Sequence, residues 1–344
     1  MKSVARPLLL ALLAVAVGVA GSGYGLQQWA RRPLARADAN RAKPIEVTIA
    51  PGSSVRSIGA QLDAVGLPIH PLLFAVLARL ERRATRLQAG TYAFLPTSSP
   101  DGLLDKLEAG DVVRIALVIP EGWTFAQMRA AVAGHPDLRQ TVRAMPDAEL
   151  MKALGAPDAR PEGQFFPDTY LFTRGTTDLE VYRRAFRALQ RRLVDGWASR
   201  APDLPLATPY DALTLASLVE KETGKAEDRP QVAAVFVNRL RRGMLLQTDP
   251  SVIYGMGARF DGNLRKADLT ADTPFNTYRR AGLPPTPIAL VGAAALAAVM
   301  NPPHTDALYF VARGDGTSEF SERLDEHNRA VDRYQRGGQS RARP

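Results

Sequence analysis

Ala216-Ser217-Leu218-Val219-Glu220-Lys221-Glu222-Thr223, with Val232-Ala233-Ala234-Val235-Phe236-Val237-Asn238-Arg239-Leu240 and Leu246-Gln247-Thr248-Asp249-Pro250-Ser251-Val252-Ile253-Tyr254-Gly255 after it, decides how this chain is read. A run of small, apolar, helix-forming residues ends in two carboxylates. Carboxylates beside apolar residues are partly desolvated, which raises the pKa of a Glu toward neutrality and lets it donate a proton. Such an acid in a cleft is a tool for breaking glycosidic bonds. On a helix Glu220 and Glu222 lie about 160° apart, so only one can face a given cleft. Ala212, Leu215, Ala216 and Val219 form one stripe, with the two Glu near its opposite edges. Spacing alone does not choose between them.

Outward from that helix, the apolar periods predict helices over 178–196, 209–223, 228–242 and 287–300. Leu308 to Ala312 reads as a strand, with Ser318 to Ser321 as its hairpin partner across Gly314-Asp315-Gly316. Upstream, 112–119 is a β-rich run ending at Pro120-Glu121-Gly122, and Thr124 with Gln127 forms a capping-box signature. A second Pro-Glu-Gly at Pro161-Glu162-Gly163 leads into Phe165-Phe166-Pro167-Asp168-Thr169-Tyr170. The fold class is α+β, and residues 112–336 are expected to form a larger mixed α+β domain.

Ile45 to Ile49 alternates as a strand, and Pro51-Gly52-Ser53-Ser54 is a turn and cap ahead of Val55, Ile58 and Leu62 at helical spacing. A second helical pattern runs through Leu72, Leu73, Val76, Leu77 and Leu80, and Leu87 to Phe94 returns as a strand. Asp101 to Gly110 closes the unit as a short helix. This βααβ unit, 45–111, resembles a LysM-like module, a small fold associated with binding N-acetylglucosamine polymers. The resemblance rests on the strand and on the Gly52-Ser53-x-Val55-x-x-Ile58-x-x-x-Leu62 pattern.

Pro7 to Leu26 carries no charge and is flanked by Lys2 and Arg6 before it and Arg31-Arg32 after it. At 1.5 Å per residue, ~20 helical residues match a bilayer core of ~30 Å. Residues 1–30 are therefore expected to be a cytoplasmic tip and a retained transmembrane helix. A cleaved signal peptide is the alternative, with small residues at Gly18-Val19-Ala20. Residues 31–44 read as a linker and 337–344 as a disordered tail.

The chain has 344 residues, enough for two domains, and is 46% hydrophobic. It has no Cys, which excludes a disulfide framework, a thiolate zinc site and a Cys nucleophile. His70, His135, His304 and His327 lack a metal-ligand spacing, so no metal and no cofactor is expected. The net charge of +9 comes mostly from dispersed Arg with no nucleic-acid motif, which points instead to attraction toward an anionic membrane.

The central stretch, together with Phe166-Pro167-Asp168-Thr169-Tyr170, Phe275-Asn276-Thr277-Tyr278, Gly282-Leu283-Pro284-Pro285, Leu308-Tyr309-Phe310-Val311 and Glu326-His327-Asn328, closely resembles the YceG-like endolytic murein transglycosylases (MltG family). The matching residues cover most of 112–335 in collinear order. Ser318 departs from the pattern, standing where many members carry His. The resemblance implies that Glu220 is the catalytic acid, that the substrate is nascent peptidoglycan glycan, and that the product ends in 1,6-anhydro-N-acetylmuramic acid. It implies an enzyme of the inner membrane with its catalytic domain in the periplasm, and peptidoglycan synthases as partners. The positive-inside rule alone would place the C-terminal side in the cytoplasm; the extracytoplasmic placement follows from the function.

Gln247, Thr248, Asp249, Tyr254 and Asn276 are further candidates for holding N-acetyl and hydroxyl groups, with Glu222 beside them. Turn chemistry and helix capping are the competing roles for these polar residues. Glu162 and Asp168 are weaker candidates, and His327-Asn328 reads as support for the start of the last helix. Two rivals stand beside the transglycosylase: a hydrolytic muramidase pairing Glu220 with Glu162 or Asp249, and a non-catalytic peptidoglycan-binding scaffold. The expected geometry is a groove for several sugar rings with Glu220 at its floor.

Overall fold

The computed structural model describes residues 5–34, 43–222 and 225–336. The expected tail 337–344 and most of the linker lie outside the described residues, as does Thr223. The chain folds as two compact units, residues 1–115 with 172–174, and residues 116–171 with 175–344.

In the first unit α1 (Ala5–Arg31) leads to β1 (Ile45–Ile49), α2 (Val55–Ala64), α3 (Pro71–Leu80), β2 (Gly90–Phe94) and α4 (Pro100–Ala109). β1 and β2 pair antiparallel, with Ile45 opposite Phe94 and Val47 opposite Tyr92. Ser54 and Ser99 cap α2 and α4, each accepting a backbone N–H of the first turn, and Gly110 at φ 64 ends α4 in the left-handed region. Val47, Ile49, Leu62, Phe74, Tyr92, Phe94 and Leu104 form the core, and Trp29 and Leu26 of α1 pack against it. Arg83 is 8% exposed and is satisfied by carboxylates of Glu81, Asp101, Asp105 and Glu108.

Of the positions in the predicted α3 pattern, Leu77 alone is buried. Phe74, Ala75, Leu77 and Ala78 are buried, whereas Leu72, Leu73, Val76 and Leu80 are exposed. A Cβ on Gly59 of α2 would lie 2.9 Å from the Pro71 α-carbon, so that close approach sets which side of an almost wholly apolar helix faces inward. The apolar run 7–26 falls within α1. Among the described residues no helix is long and apolar enough to cross a membrane; the side chains of residues 5–9, 11 and 12 are outside that description.

The second unit takes in all but the first residue of β3 (Ile115–Val118), α5 (Phe125–Gly134), α6 (Asp147–Ala153), all but the last residue of β4 (Thr169–Phe172), α7 (Asp178–Ala198), α8 (Pro209–Glu222), α9 (Arg229–Arg241), α10 (Asp249–Met256), α11 (Lys266–Thr270), α12 (Ala293–Met300), β5 (Tyr309–Ala312), β6 (Ser318–Ser321) and α13 (Leu324–Val331). β3 pairs with β4, and β5 with β6 in antiparallel register, Tyr309 opposite Ser321. α8 is the hub: every residue from Ala212 to Val219 is buried, and its core partners come from α7, α9 and α12. A helix that is apolar all round is stable only when surrounded in this way.

The helix expected over 287–300 starts only at Ala293. Pro284, Pro285 and Pro287 lack the N–H groups a helix needs, and the following segment makes other bonds. Ile288 N–H donates to Ser217 Oγ at 2.9 Å, Leu290 N–H to the Trp123 carbonyl at 2.6 Å, and Gly122 N–H to the Leu290 carbonyl at 2.9 Å. This extended strap lies along α8 and covers one of its edges.

Candidate active site

The strap separates the two carboxylates. Gly292 N–H donates to Glu220 Oε2 at 3.0 Å, and Arg229 Nη2 stands 3.7 Å from Glu220 Oε1, with the two side chains only 11% and 5% exposed. Burial pushes the Glu220 carboxyl up, the Gly292 N–H opposes it, and Glu121 adds a like charge. Glu220 is thus held in a closed polar contact. Glu220 does not line either of the two cavities described next.

Glu222, at the other edge of α8, lines a cavity of ≈ 440 Å³, within the size range of small-ligand sites. Thr248 Oγ1 donates to Glu222 Oε2 at 2.8 Å. Burial again raises the carboxyl most, Asp249 raises it further by like charge, and the Thr248 hydroxyl and the Arg239 guanidinium pull the other way. Both glutamates are pushed in the same direction, so geometry alone distinguishes them.

Gln247, Asp249, Tyr278, Ser318 and His327 share this cavity with Glu222. Gln247 takes φ 51, a conformation uncommon for a side-chain-bearing residue, and its backbone N–H donates to the Thr277 carbonyl at 3.1 Å. Such strain persists where surrounding contacts impose it. Thr248 is 1% exposed, its N–H donating to Thr277 Oγ1 at 3.0 Å, so its hydroxyl is fixed toward Glu222. The Tyr278 hydroxyl donates to Asp249 Oδ1 at 2.5 Å.

Beneath them Arg239 donates from Nε to the Leu308 carbonyl at 2.7 Å and from Nη1 to the Leu246 carbonyl at 2.9 Å. It also stands 5.2 Å from the Tyr309 ring centre, and Tyr309 stacks on His327 at 5.3 Å. One buried cation therefore ties the β5 strand to the loop that carries Gln247, Thr248 and Asp249. Arg239 stands within the sequence pattern of the family but has no visible role there, because a single Arg on a helix reads as a solvated charge.

His327 also has a part beyond the expected one. α13 begins at Leu324, where the Arg323 N–H donates to Glu326 at 3.3 Å and the His327 N–H to the Arg323 carbonyl at 3.1 Å, so His327 supports the helix start through its backbone and not its ring. It also lines the cavity, and its buried Nδ1 has no hydrogen-bond partner among the described residues. Burial and Arg239 both lower its pKa, which favours the neutral ring.

Other candidates fall elsewhere. Asn276 is 1% exposed, and its Nδ2 donates to the Leu269 and Ala271 carbonyls at 3.0 and 2.6 Å while its Oδ1 accepts from Tyr278 N–H at 2.9 Å. Its amide is consumed in holding the 268–278 loop and it does not reach the cavity. Tyr254 donates to Glu162 Oε2 at 3.1 Å, and Glu162 Oε1 accepts from Phe125 N–H at 2.9 Å. These two line a separate cavity of ≈ 680 Å³. Asp168 is exposed, accepting from Thr169 N–H at 2.7 Å. Among the described residues no group of His, Asp and Glu is placed to hold a metal ion.

Known proteins resemble this chain in sequence and fold. The profile of the YceG-like family matches residues 47–333. An endolytic murein transglycosylase of Bacillus subtilis (strain 168) is 32% identical over 307 residues, covering 84% of this chain and 84% of that protein. One of Streptococcus pneumoniae serotype 2 is 31% identical over 350 residues, covering 91% of this chain and 62% of that longer protein. The crystal structure of a yceG-like protein from Listeria monocytogenes shares the fold with a TM-score of 0.52 at 30% identity, over 84% of this chain and 99% of that one.

Proposed function

The chain belongs to the YceG-like family, and on that premise we propose that it is a peptidoglycan lytic transglycosylase in which Glu222 is the acid. The observation that carries this reading is the Glu222 carboxyl, raised by burial, held by Thr248 and opening onto the cavity shared by Gln247, Asp249, Tyr278, Ser318 and His327. The acid role implied for Glu220 by resemblance passes to its neighbour two residues on, because Glu220 is spent on Gly292 and Arg229.

In this mechanism the neutral Glu222 carboxyl protonates the oxygen linking N-acetylmuramic acid to N-acetylglucosamine as positive charge develops at the anomeric carbon. The bond to that oxygen breaks and the N-acetylglucosamine side leaves with the proton. The Glu222 carboxylate then takes the proton of the C6 hydroxyl, whose oxygen closes on the anomeric carbon to give the 1,6-anhydro end. No water is consumed. Asp249 shares the cavity, and its charge favours the neutral form of Glu222 before cleavage. Gln247 and neutral His327 supply an amide and an imidazole to hold N-acetyl and hydroxyl groups.

Mass analysis of the products tests the reaction. Anhydro ends weigh one water less than reducing ends, so reducing ends alone would mean hydrolysis with Asp249 as second carboxylate, and no cleavage would mean a scaffold.

The finer setting is also a proposal. The uncharged run 7–26 supports a retained single span in the inner membrane, and cleavage of a wall polymer, which lies outside the cytoplasm, supports a catalytic domain in the periplasm against the charge balance of the flanks. The antiparallel βααβ order of residues 45–94 supports a LysM-like glycan-binding role. Partnership with glycan-polymerising synthases is what the family resemblance implies, and co-purification from membranes tests it.

A further inference from the structure

The ≈ 680 Å³ cavity plays no part in the chemistry above, yet it is the larger of the two. Its walls include Pro250, Ile253 and Ile288 as apolar surface, Lys221 as a cation, and the buried Glu162 held by Tyr254. The two cavities share elements through consecutive residues: Glu222 lines one and Lys221 the other, and Asp249 lines one and Pro250 the other. Consecutive helical residues point about 100° apart, so the end of α8 and the start of α10 form a common wall. A helix with its side chains is about 10 Å thick.

We propose that this second cavity docks the peptide stem of the peptidoglycan strand whose sugars occupy the Glu222 cavity. The inference rests on the glycan-cleaving reading of that first site. The stem hangs from the lactyl group of N-acetylmuramic acid, the sugar whose anomeric bond is cut, so it must leave the first cavity close to Glu222. Extended peptide spans about 3.3 Å per residue, and a stem of several residues crosses a wall of one helix.

The chemistry of the lining fits that occupant. Ile253, Pro250 and Ile288 suit the methyl groups of alanine residues, and Lys221 suits a peptide carboxylate. The Lys221 ammonium carries three donors, one of which reaches the Gly122 carbonyl at 3.2 Å. Sugar rings fit less well, since they favour open aromatic faces and free side-chain amides or hydroxyls, whereas the lining Thr124 and Gln127 bond each other in the capping box of α5. The one aromatic ring lining the cavity is Tyr254, whose hydroxyl is committed to Glu162.

Ala126 on α5 lines this cavity, is exposed, and has no part in the first one. Ala126→Trp fills the cavity without touching the core. The expected result is a fall in kcat/KM of about tenfold or more on peptide-bearing strands, with cleavage of amidase-treated, peptide-free strands unchanged. Free stem peptide is expected to bind the wild type and not the variant in calorimetric titration. Equal losses on both strands, or no loss on either, would overturn the proposal. A loss confined to lipid-linked strands would also overturn it, in favour of a polyprenyl chain as occupant. A wild type that cuts neither strand but still binds free stem peptide would sink the enzymatic reading while leaving the peptide site standing.

Discussion

Thr248 Oγ1 donates to Glu222 Oε2 across 2.8 Å, and the Thr248 backbone is itself pinned by the Thr277 hydroxyl at 3.0 Å. A donor of this kind favours the charged carboxylate and so opposes the upward push of burial. Thr248→Val keeps the shape and removes the donor. The Glu222 pKa then rises further, so the alkaline limb of the kcat profile moves to higher pH. The return of the proton from the C6 hydroxyl is also poorly oriented, and kcat falls about tenfold, the equivalent of one hydrogen bond. A pH–rate series on the two proteins checks this; an unmoved alkaline limb would contradict it.

The same carboxyl makes a stability prediction. Its pKa is raised in the folded protein, so the stability it contributes is full below the unfolded value and is lost as pH rises through the folded one. Gln is neutral throughout. Glu222→Gln is therefore expected to match the wild-type Tm near pH 4 and to exceed it at pH 8, by about 2–4 °C for each kcal/mol relieved. Thermal unfolding across that range measures it, and a difference that stays constant with pH would count against the assignment.

How far the sequence could carry these conclusions is clearest in α8 and its surroundings. The carboxylate helix, the Thr124–Gln127 capping box and the β5–β6 hairpin with Gly314 and Gly316 at positive φ are all local patterns, and the structure has them. The choice between Glu220 and Glu222 was not local. It depends on Gly292, seventy-two residues downstream, laying a backbone N–H on one edge of the helix. The three prolines before it signal an interrupted helix but not where the strap packs. His327 was illegible for a similar reason, since its place in the cavity is set by stacking on Tyr309 of another element. On α3 nearly every residue is apolar, so no periodicity could name the inner face.

Arg239 ties the cavity floor together through the Leu308, Leu246 and Leu245 carbonyls at 2.7, 2.9 and 3.2 Å. Lysine has one ammonium in place of a planar fork and cannot meet these acceptors together. Arg239→Lys is expected to cost about 2–4 kcal/mol through unpaired buried carbonyls. Urea unfolding should show a lower midpoint with an unchanged slope; an unshifted midpoint would mean that the floor does not depend on this cation.

Gly163 follows Glu162 at φ 76, and a Cβ there would lie 2.4 Å from Pro287 Cβ. Gly163→Ala combines left-handed strain with a clash against a ring that cannot swing away. It is expected to destabilise by about 2–4 kcal/mol. The same urea measurement reads the effect, and wild-type stability would show that the 287–292 strap yields freely.

The assignment of the acid is tested most directly by steady-state cleavage of peptidoglycan strands by Glu222→Gln and Glu220→Gln, both checked for folding by circular dichroism. Glu222→Gln is expected to lose about 10²- to 10⁴-fold in kcat, while Glu220→Gln retains activity within about tenfold, because Gln can still accept the Gly292 N–H. Near-normal turnover by Glu222→Gln with an inactive Glu220→Gln would contradict the account and return the acid role to Glu220.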